Sequence, residues 1–242
     1  MMNSALKDRV VVVLGGASGI GLATAQAAAA RGAVVTVTSR SGDRVAQAVQ
    51  WIGGSARGEV INLENEEETR ALFKRVGAFD HLVYTAGDEL LLSPVAHVDL
   101  AAARRAFEVR IFGALGAVKQ AAAAIRPGGS IVLTHGIAGA RPQAGWAVSA
   151  AVCGAMEAMM RALAVELAPV RVNAVSPGFV RTPLWNPIPE PEREALFREA
   201  GKKLLTKRVG EAREIAEAYC YLMENAFTTG QTLVVDGGGV LV

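Results

Sequence analysis

Residues 9–40, "RVVVVLGGASGIGLATAQAAAARGAVVTVTSR", constrain the fold more than any other stretch. A β-branched run (Arg9–Leu14) enters a glycine loop, an alanine-rich helical segment spans Gly21–Arg31, and a second β-branched run covers Ala33–Ser39. Strands that are apolar at nearly every position must be buried on both faces, which a parallel sheet flanked by helices provides. Gly15, Gly19 and Gly21 stand between the first strand and its helix in a G-x-x-x-G-x-G arrangement. Glycines permit the tight turn and a close backbone approach, and the helix N-terminus then offers N–H groups and a positive dipole end to a pyrophosphate.

The same alternation runs on. Further short apolar runs are expected as strands at Glu59–Leu63, His81–Thr85, Ser130–Thr134, Val170–Val175 and Thr232–Val235. Helical segments lie between them at Asp43–Ile52, Glu66–Val76, Asp99–Ile125, Trp146–Leu167 and Glu211–Met223. Repeated strand–helix–strand units predict right-handed crossovers and a doubly wound α/β sheet with helices on both faces. No linker or repeat interrupts the pattern, so residues 1–242 are expected to form one domain. The exception is the stretch 177–205, which collects Pro177, Pro183, Pro187, Pro189 and Pro191 with Trp185 and a short amphipathic segment. A long insertion beyond a strand's carboxyl end, where α/β folds bind ligands, predicts a lid at about 178–205, with a plain surface excursion as the alternative.

Composition excludes several classes. The chain is 51% hydrophobic, enough for one large core. No apolar run reaches the roughly 18–20 residues a membrane span needs, and the N-terminal valines lead into the glycine loop instead of a cleavage site. The two cysteines, Cys153 and Cys220, have no metal-ligand spacing, and a cytoplasmic protein without disulfides or metal is expected. Net charge is +2, and the most basic window, 201–208, reads as a solvated loop or helix end, so no nucleic-acid partner is expected.

The second strand ends in Ser39 and Arg40. Dinucleotide folds that prefer NAD place a carboxylate there for the ribose hydroxyls. With no carboxylate to repel a 2′-phosphate and a guanidinium to pair with it, NADP(H) is favoured over NAD(H).

Four ordered segments, "LGGASGIG" (14–21), "FDHLVYTAG" (79–87), "LAVELAPVRVNAVSPGFVRTP" (163–183) and "VVDGG" (234–238), carry a resemblance over essentially the whole chain to the short-chain dehydrogenase/reductase family. The resemblance implies a Rossmann-type, mainly parallel seven-stranded sheet, a nicotinamide cofactor, and a homodimer or homotetramer. It also implies contacts. Ser18 and Ile20 flank the pyrophosphate, Asn62 and Leu63 the adenine, and Ala86 and Gly87 the adenosine ribose side. Pro177, Gly178, Val180 and Thr182 hold the nicotinamide end. Leu14, Tyr84, Thr85 and Asn62 depart from the residues usual at their positions.

The larger departure is catalytic. The family uses an Asn–Ser–Tyr–Lys set, in which lysine lowers the tyrosine pKa from about 10 so that the phenol can exchange a proton. Family spacing puts these positions at Arg110, Gly136, Ser149 and Cys153, so all are replaced. An aliphatic hydroxyl such as that of Ser149 is too weak an acid to donate a proton unaided, although it can hydrogen-bond a substrate oxygen. Arg110 stays charged and can stabilise an oxyanion or bind a carboxylate. Cys153 reads as a small apolar residue. His135, beside the vacated serine position, has the pKa for general acid work or stands as a hydrogen-bonded structural histidine. Trp146, three residues before Ser149, lines the cleft or packs in the core. Tyr84 offers a phenol near the cofactor, and Tyr219 and Tyr221 read as packing.

Three functions are therefore expected in order. The first is an NADP(H)-dependent oxidoreductase acting on a small carbonyl or alcohol, with His135, Arg110 and Ser149 as a rebuilt set. The second is an NADP(H)-binding sensor or partner subunit without turnover. The third is a non-redox lyase or isomerase, for which His135, Asp88 and Glu89 are the candidate bases.

Overall fold

The computed structural model describes residues 5–87 and 91–242. Its first half runs β1 (Val10–Leu14), α1 (Gly19–Ala30), β2 (Val34–Ser39), α2 (Gly42–Ile52), β3 (Arg57–Val60), α3 (Glu66–Val76) and β4 (Phe79–Tyr84). The second half adds α4 (Leu100–Phe107), α5 (Gly113–Ala121), β5 (Ile125–Thr134), α6 (Ala147–Glu166) and β6 (Arg171–Pro177). After these come β7 (Val180–Arg181), α7 (Glu190–Lys203), β8 (Gly210–Glu211), α8 (Ala212–Glu224) and β9 (Thr232–Val235). Seven strands pair in the order β3-β2-β1-β4-β5-β6-β9, and every neighbouring pair is parallel. This is the expected doubly wound sheet. Its switch point lies between β1 and β4, where strand order reverses and a crevice opens at the carboxyl ends.

Alternation along each strand divides the core into two layers. Val11 and Val13 of β1, Val83 of β4 and Val132 of β5 pack toward α1 and α8, with Ile215 and Tyr219. Val12, Leu14, Leu82, Ile131 and Leu133 face the other way, against Leu72, Val118 and Met156 from α3, α5 and α6. The central strands β1, β4, β5 and β6 thus serve both layers, the physical reason their sequences are apolar at successive positions.

One polar residue is built into the sheet itself. His81 of β4 is buried, and its Nδ1 lies 2.9 Å from the Ser130 hydroxyl on β5. Burial first, with Arg171 and Arg9 adding and Asp80 opposing, pushes its imidazole down to about 4. The unfolded chain binds this proton near pH 6.5. Between about 6.5 and 4 it therefore holds a proton that the folded protein lacks, and stability falls as pH drops through that window, by ~3 kcal/mol in all. Urea unfolding at several pH values should show this slope in the wild type and a shallower one in His81→Gln.

Several elements differ from the sequence expectation. Asp99–Ile125 is not one helix: a π turn, Glu108–Phe112, separates α4 from α5, and a short 3₁₀ turn follows α5. β3 starts and ends earlier than Glu59–Leu63. Gly58 lies under Val45 and Val49 of α2, so the strand passes too close to that helix for a side chain. Beyond it the Asn62 side chain accepts the Glu64 N–H at 3.2 Å and turns the chain. α6 corrects the membrane reading: it is 20 residues long, with a window of mean hydropathy 1.5, and so is long and apolar enough to cross a membrane. One face is packed into the second core layer through Met156, Met160 and Leu163.

Candidate active site

The residues assigned to the adenosine, the pyrophosphate and the 2′-phosphate converge on one groove of about 1120 Å³ along the carboxyl ends of the strands. Gly15, Ser18, Gly19, Ile20 and Gly21 form its floor, Ser39 and Arg40 one end, Asn62 and Leu63 a wall, and Ala86, Gly87 and Thr182 the other side. The glycines are there for space. Gly15 has φ +81°, and a Cβ on it would stand 2.6 Å from the Ala86 nitrogen. A Cβ on Gly21 would overlap the Gly15 carbonyl oxygen and the Thr85 hydroxyl. Thr85 holds this crossing by donating its hydroxyl to the Leu14 carbonyl at 3.0 Å.

Helix termini around the groove differ. Asn65 caps α3 by accepting the Glu67 N–H at 3.0 Å, and Ser41 caps α2 from Arg44 at 3.4 Å. Ser18, at the start of α1, makes no side-chain cap bond, and no acidic residue occupies the first turn. That end of α1 is left for an anion from outside the helix. Arg44 and Arg105 line the groove with Arg40 and Arg110. Sequence reasoning missed both; Arg44 could have been found as the residue one turn beyond Arg40 at the start of a helix.

A second cleft of about 170 Å³ opens from the groove. Pro177, Gly178, Val180 and Thr182 line it with Arg110, His135, Gly136, Trp146, Ser149 and Cys153. The four positions that family spacing picks out, Arg110, Gly136, Ser149 and Cys153, therefore share one cleft. Arg110, Ile20 and Thr182 belong to both spaces and mark their junction.

Arg110 sits in the π turn. The wider turn leaves carbonyls out of the α pattern, and the buried Tyr84 phenol donates to that of Val109 at 2.5 Å. Gly113 makes room, since a Cβ there would lie 2.7 Å from the phenolic oxygen. The guanidinium lies over Gly87, whose added Cβ would fall 2.7 Å from Cζ and 2.8 Å from both terminal nitrogens. Tyr84 thus corrects the sequence reading: its phenol is spent inside the fold and supports the turn that carries Arg110. Nothing in the sequence signals a π turn.

Three other polar groups of the cleft, Ser149, Cys153 and His135, are engaged. The Ser149 hydroxyl donates to the Leu91 carbonyl at 3.0 Å. Cys153 is buried, and its Sγ accepts the Gly136 N–H at 3.2 Å. His135 is buried, with Nδ1 3.2 Å from the Gly136 carbonyl and Nε2 3.3 Å from the Thr232 hydroxyl. Nδ1 donates to the carbonyl, and burial lowers the imidazole pKa. Both nitrogens have partners within the fold, which is the geometry of the structural alternative for His135. Asp88 and Glu89 lie outside the described residues.

Aromatic rings form the far wall. Trp146 meets Phe179 at 6.2 Å between centroids, and Phe179 stacks on Trp185 at 5.4 Å and 17°. Trp185 then meets Phe197 edge-on at 5.8 Å. Phe179, Trp185 and Phe197 belong to the proline-rich segment, where Trp185, Phe197, Leu204 and Val209 form a small core. Its anchors are the Trp185 indole N–H on the Val180 carbonyl at 3.0 Å and the Arg181–Glu194 pair at 2.7 Å. Gly178 fits beneath it because a Cβ there would lie 2.8 Å from Asp236, in the "VVDGG" segment. Tyr219 is wholly buried and pairs with the Thr134 hydroxyl at 2.7 Å, as packing requires, while Tyr221 is half exposed on the same helix.

Comparison with known proteins agrees with this architecture. A family model described as enoyl-(acyl carrier protein) reductase matches residues 15–239. The short-chain dehydrogenase/reductase ucsE of Acremonium sp is 35% identical, over 98% of this chain and 97% of its own. A crystal structure of a small-chain dehydrogenase in complex with NADPH superposes with a TM-score of 0.87 at 35% identity, covering 98% of this chain and 100% of that one. The MalC reductase/Diels-Alderase of Malbranchea aurantiaca superposes with a TM-score of 0.92 at 29% identity, covering 99% of each chain.

Proposed function

The chain belongs to the short-chain dehydrogenase/reductase family, and from that premise we propose that it is an NADP(H)-dependent oxidoreductase that reduces a small carbonyl compound without the usual tyrosine–lysine pair. The observation that carries the reading is the position of Arg110 at the junction of the nucleotide groove and the aromatic cleft. Support for the cofactor comes from the uncapped N-terminus of α1, the glycine crossing at Gly15 and Gly21, and the NADPH bound by a structural neighbour. Arg40 and Arg44 at the far end of the groove suit a 2′-phosphate.

When bound, the cofactor supplies hydride chemistry. The chain's own part is to orient the carbonyl and stabilise the negative charge that develops on its oxygen. Arg110 does this as a fixed cation pressed over Gly87, in a cleft walled by apolar side chains where a charge interaction is little screened. Ser149, its proton given to the Leu91 carbonyl, can hydrogen-bond the substrate oxygen only by turning that proton into the cleft. His135 stays neutral and holds the floor of the cleft, and solvent delivers the proton to the oxygen. The segment 178–205 acts as the roof that limits water.

NADPH consumption across a panel of ketones and aldehydes tests the reading, because tight NADPH binding with no consumption would move the chain to the sensor or partner reading. Arg40→Ala should weaken NADPH binding by about 10–100-fold, with NADH changed by less than about threefold. Equal loss for both cofactors would remove Arg40 from the 2′-phosphate site.

A further inference from the structure

We propose that the base end of the nucleotide groove accepts a 6-oxopurine as readily as a 6-aminopurine, because Asn62 offers the base both a donor and an acceptor. This rests on the nucleotide part of the oxidoreductase reading and adds which residue reads the base. The base's place follows from the strands. A pyrophosphate at the start of α1 puts its ribose at the end of β2, beside Ser39 and Arg40. β3 lies next to β2 with Val60 opposite Ser39, and the Ile61 N–H donates to the Ser39 carbonyl at 3.1 Å. The next two residues, Asn62 and Leu63, line the groove where the base has to lie.

Hydrogen bonds fix what Asn62 presents. Its Oδ1 accepts the Glu64 N–H at 3.2 Å, so the amide cannot turn over without losing that bond. Its own N–H is given to the Glu68 carboxylate at 2.8 Å, and Glu68 in turn accepts from the Asn65 amide at 2.9 Å. One lone pair of Oδ1 and both Nδ2 hydrogens are left. Among the described residues neither Nδ2 nor the Leu63 N–H has an acceptor, so both are offered to a ligand in the groove. Along one edge a 6-aminopurine shows an amine donor beside the N7 acceptor, and a 6-oxopurine shows an oxygen acceptor there instead. Asn62 pairs with either: Oδ1 accepts the amine, or Nδ2 donates to the oxygen. A carboxylate at this position would take only the amine and would set its lone pairs against a 6-oxygen. It would also stand close to the Glu68 carboxylate, already bonded at the Asn62 main chain. The Glu64 carboxylate lines the same end but is exposed, and it turns into solvent at little cost.

Fluorescence titration with NADPH and with its hypoxanthine analogue, reduced nicotinamide hypoxanthine dinucleotide phosphate, reads the base alone, since both carry the same dihydronicotinamide fluorophore. The wild type should bind the two within about fivefold of each other. Asn62→Asp should keep most of the NADPH affinity and weaken the analogue by about 10-fold or more, the retained NADPH showing that the variant is folded. Asn62→Ala should weaken both dinucleotides alike, by about threefold or more, and Glu64→Gln should leave their ratio unchanged. A wild-type preference for NADPH larger than about fivefold would overturn the inference, as would an Asn62→Asp protein with the wild-type ratio. So would Asn62→Ala binding both dinucleotides like the wild type, which would leave the base in solvent, or a changed ratio in Glu64→Gln. NADPH consumption in parallel keeps the two claims apart. Both dinucleotides bound alike with no carbonyl reduced uphold the base reading and defeat the reductase; carbonyl reduced with NADPH while the analogue is refused does the reverse. Neither dinucleotide binding would defeat both.

Discussion

Arg110→Ala is expected to lower carbonyl reduction by about 10²–10³-fold, the loss that follows removal of one oxyanion donor. NADPH affinity should change by no more than about threefold, because the residues that hold the phosphates lie elsewhere in the groove. Arg110→Lys should recover part of the rate: a lysine restores charge but not the flat guanidinium that rests on Gly87. Gly87→Ala makes a sharper version of the same test. Its new methyl meets the end of a flexible side chain and no backbone, so the protein should stay folded while the guanidinium shifts and the rate falls. A full rate in the Arg110→Ala enzyme, measured by NADPH consumption, would remove the residue from the reaction.

The second large effect belongs to the glycine crossing. Gly21→Ala places a methyl inside contact distance of the Gly15 carbonyl and the Thr85 hydroxyl, and neither can retreat. The Gly15 carbonyl is main chain, and the Thr85 hydroxyl is bonded to the Leu14 carbonyl at 3.0 Å. Destabilisation of about 2–4 kcal/mol should follow, together with a loss of NADPH affinity beyond about 10-fold, because the start of α1 must move. Gly116→Ala in α5 is the control: a Cβ there meets nothing within 4 Å, so the helix should gain about 0.5–1 kcal/mol. Denaturant unfolding and NADPH fluorescence titration measure both effects. A Gly21→Ala protein with wild-type stability would show that the loop relaxes freely.

The parts of this protein readable in sequence are those set by local chemistry. Val10–Leu14 is apolar at successive positions because that strand feeds two core layers, and such a run predicts a parallel sheet. The glycines at 15, 19 and 21 report a crowded turn before a helix, and Ser39 with Arg40 reports a cation at the next strand end. These features lie within a few residues of one another, so spacing suffices to find them.

What sequence could not decide depends on residues far apart along the chain. Tyr84 looked like a spare phenol until its hydroxyl met the Val109 carbonyl across a π turn. His135 has the right intrinsic pKa for an acid, but Gly136 and Thr232 engage its two nitrogens and burial lowers its pKa. Trp146, Phe179 and Trp185 become one aromatic wall only when the proline-rich segment folds back over α6. By itself, then, the sequence determined the sheet and the nucleotide-type groove, because periodicity and motif spacing encode them locally. The tertiary structure decided which polar groups still face the cleft, because a hydrogen-bond donor is available to a ligand only after the fold has used the rest.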